Sequence, residues 1–262
     1  MRRLSLIDWA WAVFFTLSLL AWAGLFLLAV EHPAGPVLGA LSPGFDAGFW
    51  SAVCSASPAG EPYASLLLMW ALMTAAMMAP TALPVLTAYR GLTEGRDGAN
   101  AGFAALAGGY LLVWLGYAVL AAALQYALAV AALLSPHAIS VSAWLTAALL
   151  FLAGLYQFSA LKAACLSRCR APLVYFMSHW RAGPSGALRM GLAQGAVCVG
   201  CCWALMLLAF VGGAMNLIWM GGAMVLMALE KLPGIGDPVT KPLGFALLFA
   251  GILAAVHSTG AF

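Results

Sequence analysis

An all-α, polytopic bundle of transmembrane helices with about seven spans is the fold class this sequence predicts, and three observations predict it. Of 262 residues, 65% are hydrophobic and 7% charged, with a mean hydropathy of +1.02. A soluble domain carries about a quarter charged residues, so this chain has too little charge to clothe a surface facing water. Apolar runs near the roughly 20 residues that cross ~30 Å of hydrocarbon recur along it. Its basic residues also fall only in alternate connecting segments.

The first expected span, about 7–30, follows Arg2 and Arg3. Its apolar run exceeds the roughly 7–15 residues of a signal-peptide core, and Glu31-His32-Pro33 offers no cleavage site, so it reads as a retained helix. An outer loop, 31–62, follows; it is rich in Gly and Pro and carries Glu31, His32, Asp46, Cys54 and Glu61. The second span covers 63–89, the third 102–134, and a short turn at Ser135-Pro136-His137 leads to the fourth, 141–163. Segment 164–189 holds much of the basic charge, and Leu173 to Arg181 within it reads as a short interfacial amphipathic helix. The fifth and sixth spans, 190–213 and 216–230, form a tight hairpin, and the sixth is short. The seventh covers 242–258. Residues 1–262 read as a single transmembrane domain.

Orientation follows from the positive-inside rule. With the N-terminus in the cytoplasm and the C-terminus outside, Arg2, Arg3, Arg90, Arg96, Lys162, Arg168, Arg170, Arg181, Arg189, Lys231 and Lys241 all fall on the inner side. Those are all eleven basic residues, and the outer loops 31–62 and 135–140 contain none. The net charge of +3 is therefore an orientation signal and not a nucleic-acid surface.

The sequence has no Walker loop, G-x-S-x-G or H-E-x-x-H, which weighs against an enzyme. Sulfur stands out instead. Five of the six cysteines are grouped: Cys165 and Cys169 at the inner end of the fourth span, and Cys198, Cys201 and Cys202 inside the fifth. Positions i, i+3 and i+4 share a helix face, so the last three thiols converge. Met206 extends them by a turn, and Gln194 lies one turn before Cys198 on the same face. Thiolate and thioether ligands select Cu(I), with zinc or another soft metal as the alternative. A lone membrane cysteine packs as a small apolar residue; three within five residues favour a ligand role. Cys54, alone in the outer loop, has no place in the cluster.

Cys165 and Cys169 would sit one turn apart, where Lys162, Arg168 and Arg170 favour thiolate; a merely reduced structural pair fits equally well. In the second span Met69, Met73 and Met77 line one face, and Pro80 and Pro84 are expected to break the helix and free backbone carbonyls. At 1.5 Å per residue, Cys202 lies roughly 18 Å from the inner end of its span and Met73 roughly 15 Å from the outer end of its own, so the two share a similar depth. Glu230-Lys231 reads as an anchor at the cytoplasmic border.

Several blocks together resemble a bacterial family of predicted metal-binding integral membrane proteins of uncharacterised function. They are Trp70 with Met73 and Ala76-Met77-Met78-Ala79-Pro80; Gly154-x-Tyr156-Gln157; Lys162-x-x-Cys165-Leu166-x-x-Cys169-Arg170-x-Pro172; and Gly191 through Gly195 to Cys198-x-Gly200-Cys201-Cys202-Trp203-x-x-Met206. Gly213-x-Met215-Asn216 and Glu230-Lys231 follow the same pattern. The resemblance spans roughly 65–245 and implies metal binding.

The sequence as a whole therefore predicts a protein of the bacterial plasma (inner) membrane that binds a soft metal, Cu(I) first, and transfers it across or within the bilayer. Cys198, Cys201 and Cys202 form the expected central site, with Met73, Met77 and Met206 as approach ligands. Cys165 and Cys169 form the expected cytosolic exchange site. Its partners would be the lipid bilayer and a metallochaperone or a metalloenzyme under assembly. A thiol–disulfide redox protein cycling Cys198 and Cys201, or an assembly or scaffold subunit whose cysteines only pack, remain the alternatives.

Overall fold

The computed structural model describes residues 63–258, except 136, 137 and 215, together with 16, 20, 22 and 23. The expected first span and the outer loop with Cys54 lie almost wholly outside the described residues. Those that are described form helices: α1 (Tyr63–Thr93), α2 (Ala99–Val130), α3 (Ala143–Tyr156), α4 (Ala160–Arg170), α5 (Pro172–His179), α6 (Gly183–Met206), α7 (Ala209–Gly212), α8 (Leu217–Lys231) and α9 (Gly236–Ser258).

Four stretches are long and apolar enough to cross a membrane: Tyr63–Thr93, Ala99–Val130, Gly183–Gly212 and Gly236–His257. A fifth is added if α3 and α4, bent by 62° at their junction, count as one broken span. Six of the seven expected spans fall within the described residues, which carry four or five such helices. α8 has 15 residues, or roughly 22 Å at 1.5 Å per residue, less than the hydrocarbon thickness.

The expected continuous span 141–163 breaks at Gln157–Ser159. Ser159 caps a new helix, its Oγ accepting from Lys162 N at 3.1 Å, which satisfies a first-turn donor. The bend also meets α9 closely: a Cβ on Gly244 would run into the Phe158 ring and Gln157 Cβ.

Pro80 and Pro84 do not break α1, which runs unbroken from Tyr63 to Thr93. Pro80 has no N–H to give Ala76 O, four residues earlier. That carbonyl accepts the Trp22 indole N–H at 2.9 Å instead.

Glycine brings backbones together where α2 meets α6. A Cβ on Gly191 would strike the Leu106 carbonyl, and one on Gly109 would lie 2.9 Å from Leu192 N. Small residues at such crossings are the usual device of helix packing in lipid. The expected amphipathic helix is present as α5, with Phe176 buried and Val174 and Met177 exposed. Trp180, just beyond it, stacks on Tyr89 at 5.7 Å and lies under the Arg96 guanidinium at 5.6 Å.

Candidate metal site

Mid-way along α6, Cys198, Cys201 and Cys202 are all buried, and their three sulfurs lie within 4.8 Å of one another. The Cys201 and Cys202 sulfurs are 3.2 Å apart, and Cys201 also donates to the Cys198 carbonyl at 3.1 Å. The helical spacing of the sequence accounts for this triplet.

A fourth thiol arrives from α4, with Cys169 Sγ 3.8 Å from Cys201 Sγ. The bend after α3 turns α4 along α6 and makes this approach possible. Cys165 is half-buried, its sulfur covering Gly200, the residue before Cys201, where a Cβ would sit 2.7 Å from it. Tyr156 donates its hydroxyl to the Gly200 carbonyl. Cys169 thus meets the triplet at Cys201, and Cys165 meets the same stretch of α6 at Gly200.

Cys198 is partnered by side chains from two other helices. Tyr110 OH from α2 lies 3.0 Å from its sulfur, and Lys231 Nζ from the end of α8 donates to it at 3.1 Å. Lys231 also donates to Thr81 Oγ1 at 2.9 Å, and Tyr110 OH reaches the Met78 carbonyl at 3.5 Å. Through these two partners the Cys198 sulfur is linked to α1 as well as to α2 and α8.

This placement corrects the expectation for Glu230-Lys231. Neither residue is an interfacial anchor, for both are buried. Glu230 forms an ion pair with Lys162 at 2.8 Å, with both side chains almost fully enclosed, while Lys231 enters the cysteine cluster. Arg170 clamps the same turn, giving Nε to Glu230 O at 2.9 Å and pairing with Asp237 at 2.5 Å. Sequence reasoning missed Lys231, Tyr110 and Thr81 as neighbours of the site. The available signal was a charged doublet ending a helix too short to reach the far surface, since intramembrane charges by default mark function.

The remaining sequence candidates are buried close by. Met73, Met77 and Met206 are each 1% exposed or less, and the hydrogen bonds from α1 to the partners of Cys198 come from Thr81 Oγ1 to Lys231 and from the Met78 carbonyl to Tyr110. Gln194, one turn before Cys198, is buried with neither amide atom hydrogen-bonded among the described residues. Aromatic rings close the α7 side: Trp70 packs on Phe210 at 5.6 Å and Tyr117 on Trp114 at 5.4 Å, and Tyr117 OH donates to the Trp203 carbonyl at 3.2 Å.

Four buried thiols form a soft donor set suited to Cu(I), and to zinc at thiolates. All five described cysteines are free.

A family model described as PpoB2, copper chaperone, matches residues 67–254. That stretch takes in the four clustered thiols, Lys231 and Tyr110. No curated protein and no solved structure matches the chain. The sequence resemblance stopped at metal binding without a function; the match names the metal and supplies the role. It covers well over half of the chain, which therefore belongs to the PpoB2 family of copper chaperones.

Proposed function

We propose that this protein is an integral membrane copper chaperone of the bacterial plasma membrane that holds Cu(I) on Cys198, Cys201 and Cys202 and hands it to a partner. The observation that carries this reading is the convergence of the three buried sulfurs within 4.8 Å, with Cys169 at 3.8 Å from Cys201, in a chain of the copper chaperone family. Three or four thiolates hold a soft monovalent ion well and a hard ion poorly.

In this reading Cys169 is a fourth donor, exchanging with the triplet as copper arrives or leaves. Met73, Met77 and Met206 line the approach, Gln194 offers a polar atom beside Cys198, and Cys165 guards the Gly200 side. The receiving partner is a metallochaperone or a metalloenzyme under assembly. Transfer is passive or driven by that partner, because the sequence carries no nucleotide-binding loop.

The membrane topology belongs to the same proposal. The N-terminus lies in the cytoplasm and the C-terminus outside, and about seven spans result if 7–30, the bent α3–α4 pair and the short α8 are counted with the four long helices. Support comes from the gathering of Arg90, Arg96 and Arg181 where α1 ends and α2 and α6 begin. There Arg90 donates to Asn100 at 2.7 Å and lies over the Phe103 ring.

The test is a metal count on the full-length, reduced protein purified in detergent. Stoichiometric Cu(I) is expected in the wild type and none in the Cys198/Cys201/Cys202→Ser triple variant. Equal copper in both would overturn the assignment.

A further inference from the structure

Among the described residues, Lys231 is a buried cation with no carboxylate partner. Its Nζ bonds a sulfur, Cys198 Sγ at 3.1 Å, and a neutral hydroxyl, Thr81 Oγ1 at 2.9 Å. The nearby acids are committed elsewhere, Glu230 to Lys162 and Asp237 to Arg170, and neither of these two ion pairs among the described residues includes Lys231. Tyr110, which shares Cys198 with it, brings no formal charge.

Depth sharpens the problem. Cys198 lies 15 residues into α6, and Thr81 lies 12 residues from the end of α1. At 1.5 Å per residue these are roughly 22 Å from the Gly183 end of α6 and roughly 18 Å from the Thr93 end of α1. An ammonium at that depth is strongly disfavoured unless an anion accompanies it. Of the two side chains that Nζ bonds among the described residues, the Cys198 thiol and the Thr81 hydroxyl, only the thiol readily becomes an anion.

We propose that Lys231 is the built-in countercharge of the copper site, offsetting part of the negative charge that the Cys198, Cys201 and Cys202 thiolates place around a monovalent soft ion. This deepens the copper(I) reading above and rests on it. One Cu(I) and three thiolates together carry a charge of −2, and the ammonium halves it to −1 in a low-dielectric core. The lysine need not leave when metal binds, because a thiolate sulfur has lone pairs for both the metal and the N–H donor. An outer hydrogen bond of this kind orients and tunes a metal ligand. Lys231 thereby lowers the electrostatic cost of gathering thiolates around the ion, while the cysteines set the cargo's softness.

The test is competition for Cu(I) between a chelator of known affinity and the full-length reduced protein in detergent, comparing wild type, K231R and K231M. Wild type and K231R are expected to agree within a few-fold, while K231M loses at least about tenfold in affinity. Ag(I), of the same charge and softness, should show the same order. If wild type binds and K231M binds equally well, the countercharge role is overturned and the copper reading stands. A wild type that binds no Cu(I) overturns both. Should K231M not fold, K231R decides: retained affinity supports the role, and a tenfold loss overturns it.

Discussion

The ammonium of Lys231 donates to the sulfur of Cys198 across 3.1 Å, joining the last turn of α8 to the middle of α6. The preceding residue, Glu230, points to a different helix and pairs with Lys162 of α4 at 2.8 Å. Two consecutive residues at the end of a short helix therefore fix the position of both thiol-bearing helices. The site is held by these polar links as well as by the packing around it.

Loss of one partner of the enclosed Lys162–Glu230 pair leaves a charge uncompensated. Lys162→Met or Glu230→Leu alone is expected to lower stability by about 3–5 kcal/mol, and the double replacement by much less, because no orphan charge remains. Denaturant unfolding of the three variants in detergent checks this. Additive losses would show that the pair is not coupled.

Gly200 tests the position of Cys165. Its missing Cβ leaves room for the Cys165 sulfur, which an alanine would meet at 2.7 Å. Gly200→Ala should cost about 1–3 kcal/mol, the usual range for overpacking. Adding Cys165→Ala should restore most of it, because residues in contact couple in a double-mutant cycle. Thermal unfolding of the four proteins reads out the coupling.

The basic-residue pattern makes a topological prediction. In a cysteine-free background, single cysteines at Asp46 and His137 should react with an impermeant thiol reagent added outside, and cysteines at Arg96 and Arg181 should not. Outside labelling at Arg96 would overturn the orientation.

Much of the site was legible in the sequence because it is local. Cys198, Cys201 and Cys202 share a face through helical spacing alone, and the turn between α7 and α8 follows from Gly212, Gly213 and Asn216, whose Oδ1 caps Trp219 N at 3.1 Å. What escaped the reading depends on contacts distant in sequence. Apolar content runs straight through Gln157–Ser159, so the bend that delivers Cys169 to Cys201 leaves no mark in hydropathy; it rests on the Ser159 cap and the contact with Gly244. Lys231 resembles a border residue because a charged doublet ends a helix, and only the shortness of α8 shows that this end need not reach the surface. Counted as buried, Lys162 and Lys231 also leave the set of orientation markers. Pro80 reads as a helix breaker in isolation, and the Trp22 indole on the Ala76 carbonyl explains why α1 continues past it.

The central claim is that Cys198, Cys201 and Cys202 act as one coordination unit for Cu(I). Competition titration of Cu(I) against a chelator, on the wild type and the three single Cys→Ser variants, tests it most directly. Serine replaces a soft ligand with a hard hydroxyl that Cu(I) binds poorly. Affinity should therefore fall steeply in every single variant, and the losses should be non-additive when the substitutions are combined. Equal binding by all four proteins, or binding by none, would contradict the account.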